Sequence, residues 1–154
     1  MEILYKVKGT LSEGFIGQIS YTISLERKYQ NLNIEFGFDK QHYTSESLTL
    51  EKAEEIITYC LKEYGLDLKE KVEDPFAFIM KEGKTEIHVL ATLNDEFIGC
   101  VHRQMTKRNM LFTPEFATEG CIPQDGIEGV LKVTLLVFNV ILEDTNYFLN
   151  VSAK

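Results

Sequence analysis

Between positions 15 and 25 the chain alternates. Phe15, Gly17, Ile19, Tyr21, Ile23 and Leu25 hold the odd positions, with Gln18, Ser20, Thr22 and Ser24 between them. A period of two predicts a strand with one buried face. Residues 3 to 11 repeat it with Ile3, Tyr5, Val7 and Leu11. The connector Ser12-Glu13-Gly14 suits a short hairpin, because Gly supplies a positive φ. With Leu11 opposite Phe15, Val7 faces Ile19 and Tyr5 faces Tyr21, so one register serves all three pairs. A third strand at 32–38 places Leu32, Ile34, Phe36 and Phe38 on its apolar side. Together these predict an antiparallel β-meander over about 2–38.

The period then changes. In 49–64, Leu50, Ala53, Ile56, Ile57, Cys60, Leu61 and Tyr64 recur at helical spacing. Thr49 is placed to cap the helix, Glu51, Glu54 and Glu55 suit its positive end, and Gly65 suits its exit. The nearest partner for this stripe is the apolar face of the meander. A second meander is expected over 76–104, from strands at 76–81, 85–93 and 97–104, and 105–126 reads as irregular. The segment 127–142 is two-sided. Val130, Val133, Thr134, Val137, Val140 and Ile141 favour a strand, while Glu128, Lys132, Asn139 and Glu143 fall within one narrow helical stripe. We read it as a mostly buried helix, with a strand as the alternative. A short strand at 147–151 closes the chain. The expected fold is α+β: one domain over 1–154, with two antiparallel meanders, each followed by a helix, and the helices on one face of the sheet.

Charge changes what such a domain can bind. The 154 residues carry a net charge of −8, with an isoelectric point near 4.9. That argues against generic nucleic-acid binding, which needs a basic field, and fits a basic protein partner. Three cysteines, an odd number with no CxxC spacing, point to free thiols and a cytoplasmic location. The start, MEILYKVKG, lacks the pattern of a signal peptide. The longest apolar stretch, 133–142, is too short to span a bilayer, so no membrane partner is expected.

Among candidate chemistries the sharpest lies in the hairpin 85–93/97–104. With a three-residue loop, Leu93 opposes Phe97, Leu90 opposes Cys100 and His88 opposes His102. Opposed side chains have Cβ atoms about 4.5–5.5 Å apart, so His88, Cys100 and His102 form a candidate zinc set, which Cys121 could complete. A two-residue turn would shift the register and separate the histidines. The plainer account is the wetter face of a sheet, with Cys100 as a small apolar filler. Zinc is the one cofactor these residues raise.

Arg103, Lys107 and Arg108 form a basic cluster suited to a phosphate or carboxylate, or simply a solvated strand end. Gly126 to Gly129 in PQDGIEGV could offer backbone N–H groups to an anion, but loop punctuation and Asp125 as an N-cap explain them better. Phe15, Tyr21, Phe36 and Phe38 could line a pocket, or form the core. Residues 46–74 hold nine acids against four lysines. Within them Glu51, Glu54, Glu55 and Glu63 lie on the helix and offer an acidic docking face. No GxSxG, Walker A, dinucleotide-binding or EF-hand motif occurs. The expectation is therefore a small binding or regulatory protein without catalysis of its own, taking a basic protein partner and able to self-associate through a sheet edge. The alternative is a metal- or anionic-ligand-binding protein using the His/Cys cluster.

Overall fold

The computed structural model describes residues 1–102 and 105–154. Eight strands occur among them: β1 (Glu2–Leu11), β2 (Gly17–Tyr29), β3 (Leu32–Phe38), β4 (Glu86–Leu93), β5 (Glu96–Val101), β6 (Lys107–Phe112), β7 (Ile127–Asn139) and β8 (Thr145–Ala153). Three helices, α1 (Leu50–Tyr64), α2 (Leu68–Lys71) and α3 (Pro75–Glu82), lie between β3 and β4. The strands form two antiparallel four-stranded sheets, ordered β1-β8-β3-β6 and β2-β7-β4-β5. Their inward residues share one apolar core, with Leu32, Ile34 and Phe36 from the first sheet meeting Val89, Leu131 and Leu135 from the second. Two sheets stacked face to face in this way make a sandwich. No described helix is long and apolar enough to cross a membrane.

The predicted period-two faces of β1, β2 and β3 are present, but their partners differ from the expected meander. β1 pairs with β8, Val7 opposite Leu149, and β2 pairs with β7, Ile19 opposite Leu135. Residues 12–16 carry the chain from one sheet to the other and make no hairpin. Tyr5 and Tyr21 do meet, with ring centroids 5.8 Å apart, but across the sandwich and not along a ladder. Alternation reports which face is buried; it is silent on which strand lies alongside.

The segment 127–142 is strand β7 over most of its length, which corrects the helix reading. Leu131, Val133, Leu135 and Val137 are buried at alternate positions. β7 lies between β2 and β4, so its outward Thr134 and Leu136 are also largely covered. Apolar residues on both faces blurred the period of two. The stretch 76–81, expected as a strand, is helix α3. The Asp74 side chain accepts from the Ala77 N–H at 3.1 Å, and Pro75 opens the first turn. The second meander thus shrinks to the β4–β5 hairpin, and the irregular 105–126 contains β6.

Helix α1 keeps its predicted ends. Thr49 accepts from the Lys52 N–H, and Gly65 takes a left-handed conformation. Its stripe does not pack on the expected face of the first meander. Ala53 and Ile57 gather with Tyr43, Leu48, Leu68, Ile79 and Ile141 in a second apolar cluster. The joint between the two cores falls within one dipeptide, since Val140 belongs to the sandwich core and Ile141 to the helical one. The buried Thr85 hydroxyl accepts from the Ile141 N–H at 3.0 Å and fixes that joint.

Candidate functional site: an acidic cavity beside helix α1

The first turns of α1 face the joint between the cores. A cavity of about 320 Å³ opens there, lined by Glu13, Tyr43, Ser47, Glu51, Lys52, Glu55 and Glu143 among others. Each wall has a local cause. The Thr49 cap starts the helix, so Glu51, Lys52 and Glu55 follow within its first two turns. Glu13 arrives on the connection between the sheets, and Glu143 on the β7–β8 turn. That turn is sharp, with Asp144 at φ 54. The Glu13 N–H donates to Glu143 Oε2 at 3.1 Å and ties the two loops together.

Lys52 is the one cation among these lining residues. Its Nζ lies 2.7 Å from Glu13 and 3.4 Å from Glu55. The bond to Glu13 raises the lysine pKa against the opposing effect of burial. Glu51 and Glu143 add two further carboxylates, so the wall keeps a surplus of negative charge. Tyr43 is buried to all but 7% of its surface. Burial raises its phenol pKa, with Lys52 pulling it down and Glu13 and Glu55 pushing it up. A neutral hydroxyl amid an excess of carboxylates suits an ammonium or guanidinium group, a multiple donor that needs acceptors converging on it.

The predicted acidic face is thereby divided. Glu51 and Glu55 line the cavity. Glu54 is turned to Lys69, 3.1 Å away. Glu63 lies eight residues beyond Glu55, about 12 Å further along the helix, and does not reach the cavity. Glu13, Tyr43 and Glu143 escaped the sequence reading, because they come from three loops far apart in the chain and form no spaced motif.

At the second hairpin, His88 and His102 do come together, with ring centroids 5.7 Å apart. The loop is not the expected three residues. Leu93 pairs with Glu96 around a two-residue turn, with Asn94 at φ 51 and Asp95 at φ 67. A bulge between Ala91 and Thr92 restores the Leu90–Cys100 pair and with it the histidine pair. His88 Nε2 lies 3.1 Å from Glu86 Oε1, and its ring lies 4.5 Å from that of Phe138. Cys100 sits beside Leu90, and burial raises its pKa. Cys121 packs against the sandwich core, where a side chain at Gly99 would strike its sulfur, and burial pushes its pKa up to about 11. It therefore lies on the face opposite Cys100. Among the described residues no group of three or more His, Cys, Asp or Glu side chains is arranged to hold a metal ion.

Of the basic cluster, Lys107 and Arg108 do not converge. Lys107 and Arg108 are strand neighbours and point to opposite faces of β6. Lys107 is exposed and pairs with Glu35 at 2.7 Å. Arg108 is 4% exposed and turns into the core. Its Nη1 donates to the Ile87 carbonyl and its Nε to that of Met105, and its guanidinium lies over the Phe36 ring. Burial lowers its pKa. Arg108 is a strut between the two sheets. Arg103 lies outside the described residues. Of the aromatic residues considered for a pocket, Phe36 and Phe38 are core, Tyr21 packs half-buried against it, and Phe15 is 37% exposed.

No curated protein and no solved structure matches the chain. A family model does match, over residues 1–154, and its description is a family of unknown function, DUF6669. The chain belongs to the DUF6669 family.

Proposed function

We propose that this protein is a small cytoplasmic binding protein without catalysis of its own, and that it docks a basic segment of a partner protein through the acidic cavity beside α1. The observation that carries the reading is the convergence of Glu13, Glu51, Glu55 and Glu143 on one cavity holding a single lysine. A lysine or arginine side chain of the partner enters the cavity. Its cationic head meets the carboxylates and the Tyr43 hydroxyl, and its aliphatic stem lies along Ile141 and Leu142, which also line the wall. The remaining acids of α1 steer the partner and give the complex its salt dependence.

The test uses a lysine- and arginine-rich peptide and its fluorescence anisotropy at two salt concentrations. E51K/E55K reverses charge inside the cavity, and E63K/E70K makes the same net change away from it. The first pair is expected to weaken binding about tenfold, or ~1.4 kcal/mol, and the second far less. Equal losses would reduce the effect to net charge and remove the site.

A further inference from the structure

Each sheet has two edges, and three of the four are guarded. On β5, Gly120 and Ile122 lie alongside, with the Cys100 N–H donating to the Gly120 carbonyl at 2.9 Å and the Ile122 N–H to that of Ile98 at 2.8 Å. On β6, the chain folds back to bridge Phe112 and Ala117, and the Thr118 N–H donates to the Leu111 carbonyl at 3.0 Å. β1 is broken by an irregularity between Ile3 and Tyr5 and carries exposed Lys6 and Lys8. A bulge, edge lysines and a covering segment are three ways proteins stop strands from pairing with other chains.

Among the described residues, the edge of β2 has none of these over Gly17–Leu25. Those nine residues, GQISYTISL, contain no charge and no proline, and their pairing with β7 runs without a break. Charge resumes at Glu26, where the register shifts. The outward residues Gln18, Ser20, Thr22 and Ser24 are exposed, neutral and small or flexible. The inward Ile19 and Tyr21 are only half-buried, although Tyr21 is held by a 2.6 Å hydrogen bond to the Tyr147 hydroxyl. Both bury further when another strand is added.

We infer that this protein self-associates as a two-fold dimer by antiparallel pairing of β2 with β2 of a second copy, centred on Tyr21. The occupant follows from self-complementarity. With the axis at Tyr21, Ile19 meets Ile23 of the other copy on the inward face. On the outward face Ser20 meets Thr22, and Gln18 meets Ser24. No like charges are opposed anywhere in the run, and cross-strand Ser–Thr pairs are favourable. Ile16, 73% exposed just before the strand, comes against the aliphatic part of Glu26. The contact is isologous and closes on itself, so it stops at two copies and joins the β2-containing sheets into one of eight strands. The acidic cavities lie outside the paired strands, and the inference does not depend on the function proposed for them.

Sedimentation of the full chain over a concentration series reads the outcome. A mass of twice 17.7 kDa is expected at the upper end. Thr22→Lys puts two lysines on one face, diagonally across the axis and each opposite Ser20 of the other copy, and is expected to abolish the dimer. Thr22→Glu is expected to do the same, and mixing the two variants to restore it. Thr22 is exposed and lies opposite Lys132 of β7, so Thr22→Lys should lower the melting temperature slightly and Thr22→Glu should leave it unchanged. If either variant misfolds, amide exchange of the native protein decides, since amides in 17–25 must gain protection as concentration rises. A wild-type monomer throughout, or variants that dimerise as well as wild type, overturns the inference.

Discussion

At the scale of single residues, Asn94 does more than turn a hairpin. Its Oδ1 accepts from the Val130 N–H at 2.8 Å and its Nδ2 donates to the Glu128 carbonyl at 2.9 Å. The side chain thus clamps the start of β7 while its own backbone sits at φ 51. Asn94→Ala loses both bonds and strains the turn, at a cost of about 2–3 kcal/mol in chemical denaturation. Asn94→Gly keeps the turn and is expected to lose less. Glu35 provides a pH prediction. Its hydrogen bonds to Lys107 and then Asn150 hold its pKa below the ordinary 4.5. A depressed carboxylate stabilises the fold above its unfolded pKa, and that stability is lost as pH falls through the folded value. Lys107→Ala should therefore cost about 0.5 kcal/mol near neutrality, discounted for the exposure of the pair, and the difference from wild type should fade below about pH 4. A difference that persists there would break the assignment.

At the scale of elements, legibility in the sequence tracked how many independent signals each segment carried. The helix 49–64 had a cap, a period and a glycine exit, all local, and it stands as α1. At 76–81 the run Phe76, Ala77, Phe78, Ile79, Met80 is too apolar to show any period. The Asp74-Pro75 pair before it was the available signal for α3. Asp74→Ala is expected to cost about 1 kcal/mol and to loosen α3 in hydrogen exchange, without changing the sandwich amides. In β7, Lys132 and Glu128 look like a helical stripe only because Thr134 and Leu136 are covered by neighbouring strands. Which strands those are depends on pairing with distant segments. Of the site, Glu51 and Glu55 were legible from α1 alone. Their companions Glu13, Tyr43 and Glu143 were not, because loop closure and not spacing brings them there.

At the scale of the whole molecule, a β-sandwich and a small helical core meet at Val140-Ile141, and four glutamates line a cavity beside that joint. The neutral edge of β2 is a surface of a different kind, and we propose the cavity as the seat of a basic partner and the edge as the contact with a second copy. The most direct measurement of the central claim is an amide-resolved NMR titration of the native protein with the basic peptide. Binding at the cavity predicts shifts confined to Glu13, Tyr43, 47–55 and Glu143, and their loss in E51K/E55K. Shifts scattered over the acidic surface, or centred on another face and unaffected by E51K/E55K, would contradict it.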